Sequence, residues 1–168
     1  MFIVFRIIAL ILLAIIIPFI AWVTYVNFSK RESSMWYAGR PSTLGRNASD
    51  GKLSGPKKTP NSVVSERVDT NHPAFIAPIP FVGNADAAMV KLLGALQSMP
   101  DATIVTAESS YVHVEFRTPK MRYVDDFEAR IDASQSMIHV RSAARLGQRD
   151  FNVNRNRVEA IRLAFLNF

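Results

Sequence analysis

Near the C-terminal half of this 168-residue chain, consecutive stretches alternate in polarity with a period of two, and no other feature limits the fold as strongly. In residues 111–117, Val112, Val114 and Phe116 share one side, opposite Tyr111, His113, Glu115 and Arg117. Residues 121–131 set Tyr123, Asp125, Phe127, Ala129 and Ile131 against Arg122, Val124, Asp126, Glu128 and Arg130. In residues 137–143, Ile138, Val140 and Ser142 share a side, with His139 and Arg141 facing away. A shorter stretch, 103–107, precedes them. The connections, among them Ser109-Ser110 and residues 132–135, are too short for crossovers, so an antiparallel meander is the economical topology. Pairing Ile131 with Ile138 sets Glu128 opposite Arg141, which joins unlike charges and like hydrophobes.

The apolar sheet side needs a cover, and two segments have helical spacing. Asn84 is a candidate N-cap and Asp86 complements the helix dipole. Met89, Leu92, Leu93, Leu96 and Met99 then recur at helical intervals before Pro100, giving a helix over residues 84–99. Val158, Ile161, Phe165 and Phe168 trace the stripe of a second. The expected fold class is α+β, a four-stranded antiparallel meander with two amphipathic helices on one face, spanning 73–168.

The N-terminal part reads differently. Residues 7–23 carry no charge, and extending to residue 28 adds only Thr24 and Asn27 as polar interruptions. At about 1.5 Å per residue such a run spans roughly 33 Å, so residues 1–28 are expected to be a transmembrane helix rather than a cleaved signal peptide. Charge counting, with Lys30, Arg31, Arg40 and Arg46 set against Arg6, favours a cytoplasmic domain. Residues 29–72 hold eight basic and four acidic residues and are punctuated by Gly, Pro, Ser and Asn. They read as a flexible basic linker, either a solvated spacer or a polybasic grip on anionic lipid. The absence of cysteine excludes disulfides, thiolate metal sites and a cysteine nucleophile.

Three stretches carry a resemblance to a known family. They are Tyr123-Val124-Asp125-Asp126-Phe127-Glu128, His139 to Gly147 with its Arg-Ser and Arg-Leu-Gly elements, and Asp150-Phe151-Asn152-Val153-Asn154-Arg155 followed by Arg157-Val158. Over roughly residues 60–166 the chain resembles the family catalogued as domain of unknown function 1499. An upstream Pro-Asn-Cys-Val-Ser-Ser pattern of that family is met in part by Pro60-Asn61-Ser62-Val63-Val64-Ser65, with Ser62 in the cysteine's place. The resemblance implies a bacterial envelope setting and a periplasmic domain, against the charge count. It supplies no catalytic residue.

Asp125 is the most unusual position, because alternation puts it on the core side, where an unpaired carboxylate costs several kcal/mol. It needs a cation, and Arg145 and Arg155 are the nearest by topology. Either the pair is structural, or Asp125 is a general acid or base. A β-bulge at Asp125-Asp126 would instead turn the carboxyl outward. Arg141, Arg145, Arg149, Arg155, Arg157 and Arg162 face only Asp150 and Glu159 within their segment, and Asn152 or Asn154 is expected to cap the second helix. Arginines beside a helix N-terminus form a competent site for an anion or a lipid headgroup. The candidate residues are therefore Asp125, Arg141, Arg145, Asp150, Asn154, Arg155 and Arg157. His113 and His139 lie on strands two spacings apart, about 9.6 Å, too far for one zinc, so no metal is expected. From residue 73 onward eleven basic residues meet ten acidic ones, which argues against nucleic acid, and no motif calls for a cofactor.

The expected function is a single-pass, inner-membrane envelope accessory: a ligand-binding or protein-interaction module. Its expected partners are the bilayer, an anionic ligand or lipid headgroup, and a membrane protein. The alternative is a hydrolase-like enzyme using Asp125 with neighbouring arginines.

Overall fold

The computed structural model describes residues 13–25 and 39–168. Residues 13–25 are helical (α1) and lie in a compact unit separate from the one formed by residues 39–168. Among the described residues no helix is long and apolar enough to cross a membrane. The expectation of a transmembrane helix over residues 1–28 is corrected accordingly. Residues 1–12 and 26–28 of that expected span lie outside the described residues.

The larger unit runs β1 (Ser62–Val64), β2 (Ile79–Pro80), α2 (Ala85–Gln97), β3 (Ala102–Ala107), β4 (Tyr111–Arg117), β5 (Val124–Asp132), β6 (Met137–Ala144) and α3 (Val153–Asn167). The sheet has six antiparallel strands, not four. Its order is β1-β6-β5-β4-β3, with β2 sharing the outer edge of β6 beside β1. The two added strands have three and two residues, too short for alternation to reveal them. β5 starts at Val124 rather than residue 121, after Arg122 takes a positive φ of 55°. Ile131 does pair with Ile138, and Glu128 with Arg141.

One sheet face carries the apolar core. Val112, Val114, Phe116, Phe127, Ala129, Ile131, Ile138 and Val140 meet Leu92 and Leu96 of α2 and Val158, Ile161 and Phe165 of α3. The Phe116 and Phe127 rings meet edge-on with centroids 6.4 Å apart. Asn84 caps α2 as its sequence requires, its Oδ1 accepting the Ala87 N–H at 2.7 Å.

The opposite sheet face is also buried, which alternation alone does not foretell. His113, Glu115, Asp126, Glu128 and Arg141 are each less than 5% exposed. What shields them is the front of the expected tether: from residue 39 on, that segment belongs to the folded unit. Gly45 N donates to Glu128 Oε1 at 2.7 Å, Arg40 Nε to Glu115 Oε1 at 2.8 Å, and Gly55 O accepts from Arg141 Nε at 3.3 Å. Leu53 is fully buried, and its N–H bonds Glu66 at 2.8 Å. Residues 39–57 thus form a polar strap across the sheet.

Candidate functional site

The expected arginine group is dispersed by strand parity and helix phase. Arg141 and Arg145 continue one side of β6 and enter the strap-covered layer. Arg145 donates Nε to Asp126 Oδ2 at 2.8 Å and Nη2 to Glu115 Oε1 at 2.6 Å, with its side chain 1% exposed. His113 Nε2 lies 2.8 Å from Asp126 Oδ1. Arg141 Nη1 meets Glu128 Oε2 at 2.8 Å, while Tyr111 OH donates to Glu128 Oε1 at 2.8 Å. Burial alone would push the Glu115 and Asp126 carboxyls up. The hydrogen bonds from Arg40 and Arg145 to Glu115, and from Arg145 and His113 to Asp126, outweigh it and hold both below the ordinary carboxylate range. Burial and the neighbouring Glu128 charge push the Tyr111 phenol far up. Each acid here has a cation or donor, so this layer is a neutralised structural network.

Asp125 lies on the core side, and the bulge that would have turned it outward is absent from its ladders with β4 and β6. Its cation is Arg157, whose Nη2 donates to Asp125 Oδ2 at 2.7 Å. Arg157 Nη1 donates to Asn154 Oδ1 at 2.6 Å, and Ser142 Oγ donates to the same Oδ1 at 2.6 Å. Asn154 Nδ2 reaches Asp150 Oδ2 at 2.8 Å. Asp125, Asn154, Arg157 and Asp150 are thus one connected group, from which Arg141, Arg145 and Arg155 are absent. Asn152 occupies the N-cap position of α3, as expected, but its side chain makes no capping bond; the Asp150 carboxylate supplies it, accepting from Asn152 N at 3.2 Å and Asn154 N at 3.0 Å.

Arg155 is the remaining candidate, and it lies at a cleft of about 470 Å³ bounded by residues 56–63, residues 72–74 and the start of α3. Arg155 Nη2 donates to the carbonyls of Pro73 and Phe75, both at 2.9 Å, which fixes the guanidinium at the cleft wall. Lys57, Lys58 and His72 line the same space. Lys57 is half-buried, and desolvation followed by the nearby Arg141 charge lowers its amine from 10.5. Its Nζ donates to Ala144 O at 2.7 Å. His72 Nδ1 accepts the Ala74 N–H at 3.1 Å, which leaves Nε2 to face solvent as the ring's donor. The one carboxylate in the lining is Asp150, already engaged by α3. Ser62, where the family pattern has cysteine, borders the cleft and its Oγ accepts from Lys57 N at 2.9 Å.

The sequence reading missed Lys57, Lys58 and His72 because they fall in a stretch without periodicity. One signal was there: Lys57-Lys58-Thr59 is bracketed by Pro56 and Pro60, and prolines at both ends hold such a segment extended.

The model of one protein family, described as "Protein of unknown function (DUF1499)", matches residues 52–165. No curated protein matches the chain.

Proposed function

We propose that this chain, which belongs to the DUF1499 family, is a ligand-binding module whose site is the cleft beside α3 and whose ligand is a small anion of the phosphate type. The observation that carries this reading is the cleft's charge. Three basic residues, Lys57, Lys58 and Arg155, line a cleft of about 470 Å³ together with His72, and the single carboxylate among the lining residues is committed to the helix end. A guanidinium already fixed by two carbonyls loses little freedom on binding, which favours charge-assisted hydrogen bonds to an anion. The setting in this reading is the bacterial envelope, as the family resemblance implies.

The hydrolase alternative has less to support it. Asp125 is salt-bridged to Arg157, and it is not among the residues that line the cleft beside α3. A general acid or base must reach its substrate, and this carboxylate faces a guanidinium instead.

Inorganic phosphate titrated into the full chain, followed by amide chemical shifts, tests the proposal. Saturable shifts should centre on residues 56–63, 72–74 and 152–155. Lys58→Glu, at an exposed position, should weaken binding by about tenfold with no change in melting temperature. The absence of saturable binding, or equal affinity in Lys58→Glu, overturns the reading.

A further inference from the structure

Among the described residues β3 has β4 on one side and no strand on the other. Its residues, Ala102-Thr103-Ile104-Val105-Thr106-Ala107, include neither a charge nor a proline, the usual guards of a sheet edge. We propose that β3 is a self-association edge, pairing antiparallel with β3 of a second copy so that Ala102 faces Ala107, Thr103 faces Thr106 and Ile104 faces Val105 across a twofold axis.

The strand reads nearly the same in both directions, so such an axis sets like residues together, as isologous pairing requires. In an uninterrupted strand this register fails, because residues an odd number apart point to opposite faces. β3 is interrupted. Its ladder with β4 slips between Ile104 and Thr106, leaving Val105 as the extra residue of a bulge. Ala102, Ile104 and Ala107 therefore oppose Phe116, Val114 and Val112 on the core side, while Thr103 and Thr106 oppose Glu115 and His113 on the other. Both threonines share a face, and both alanines share the opposite one. The two copies then continue one sheet with their helices on the same side. A bulge commonly discourages edge pairing by twisting the strand, yet here it restores the parity that pairing needs.

Charge at the strand ends adds a second argument. Arg46 donates Nη2 to Glu108 Oε2 at 2.7 Å and Nη1 to Ser110 Oγ at 2.8 Å. In the same register Glu108 faces Asp101 of the second copy, so an incoming carboxylate arrives beside the Arg46 guanidinium at both ends of the joint. A second copy supplies that acid by symmetry, which is why it is the occupant we name.

The cysteine-free sequence makes the register directly testable. Full chains carrying T103C or T106C are oxidised separately and as a mixture. The mixture should form a covalent dimer, because residue 103 lies opposite residue 106 of the second copy. Each variant alone should not, since identical positions are offset by three residues, roughly 10 Å, and a disulfide needs Cα atoms within about 7 Å. Adding Val105→Asp to both chains, with folding checked by circular dichroism, sets two carboxylates beside the axis and should cut the cross-link by about tenfold. The proposal is overturned by a mixture that stays monomeric, by equal cross-linking in all three samples, by an unaltered yield with Val105→Asp, or by a monomeric chain that takes up a foreign extended peptide along β3.

Discussion

Arg157 ties together groups drawn from four elements, β4, β5, β6 and its own helix α3. Its guanidinium reaches Asp125 of β5, Ser142 of β6 and Asn154 of α3, and lies 4.7 Å from the centroid of the Phe116 ring. Both partners of the ion pair are about nine-tenths buried, so removing one charge strands the other. Asp125→Asn is expected to lower unfolding stability by about 3–5 kcal/mol in urea titration, and pairing it with Arg157→Leu should cost less than the two changes summed. Gly94 points the other way. A Cβ built there would lie 2.9 Å from Phe168 Cε1, the tip of an exposed side chain that can swing aside. Gly94→Ala should therefore leave the melting temperature unchanged or raise it, by up to about 1 kcal/mol of stability. Alternation was enough to place Asp125 on the core side. Its partner was harder to read, although the parity of β6 carried two residues further sends Arg145, like Arg141, to the opposite face. Arg157 then follows from helix phase, one turn beyond Asn154.

The strap is the element that alternation and periodicity could not find. Residues 39–57 hold no regular pattern because their backbone bonds close local turns, as from Leu44 N to Pro41 O and from Asn47 N to Lys52 O, or go to side chains such as those of Glu128, Glu66 and Ser62, rather than to a ladder. Gly45 is the sharpest example: its N–H meets Glu128 while its φ is 100°, a conformation that favours glycine. Nothing lies within 4 Å of where a Cβ would sit, so the strain of Gly45→Ala is conformational alone. That change should cost about 1–2 kcal/mol and speed amide hydrogen exchange across residues 39–57 more than in β4 or β5. Uniform protection in both proteins would count against the strap as a separately anchored element. β1 and β2 escaped notice for a simpler reason: strands of three and two residues offer no period to detect. Arg155 and Arg162, read from sequence as part of a charged cluster, instead pin residues 73–78 to α3 through the carbonyls of Pro73, Phe75, Ala77 and Pro78.

Across the whole unit, the sheet lies between an apolar layer of helices and a charged layer under the strap. Alternation told which side was polar, but polarity was not the same as contact with water. The electrostatics make stability depend on pH in one direction. Glu115 and Asp126 titrate below their ordinary values of 4.5 and 3.8, so their contribution is complete above that range and lost as pH falls through the depressed values. His139 is held below 6.5 chiefly by burial, which favours its neutral form, so its protonation also opposes folding as pH falls. Melting temperature should thus decline gradually below about pH 6.5 and steeply below about pH 4.5. A profile that is flat from pH 7 to pH 3 would show that the buried network is not ionised as described. Because Arg145 and Glu128 are shielded from solvent, 1 M salt should shift the neutral-pH melting temperature little.

With both of its broad surfaces roofed, this unit carries its two proposed contact openings along its perimeter. They are the seam where residues 56–60 pass the end of α3 and the bare margin at β3. Drift of sequence beneath either roof changes how firmly the molecule stands, whereas drift along its rim would alter the two regions proposed for contact.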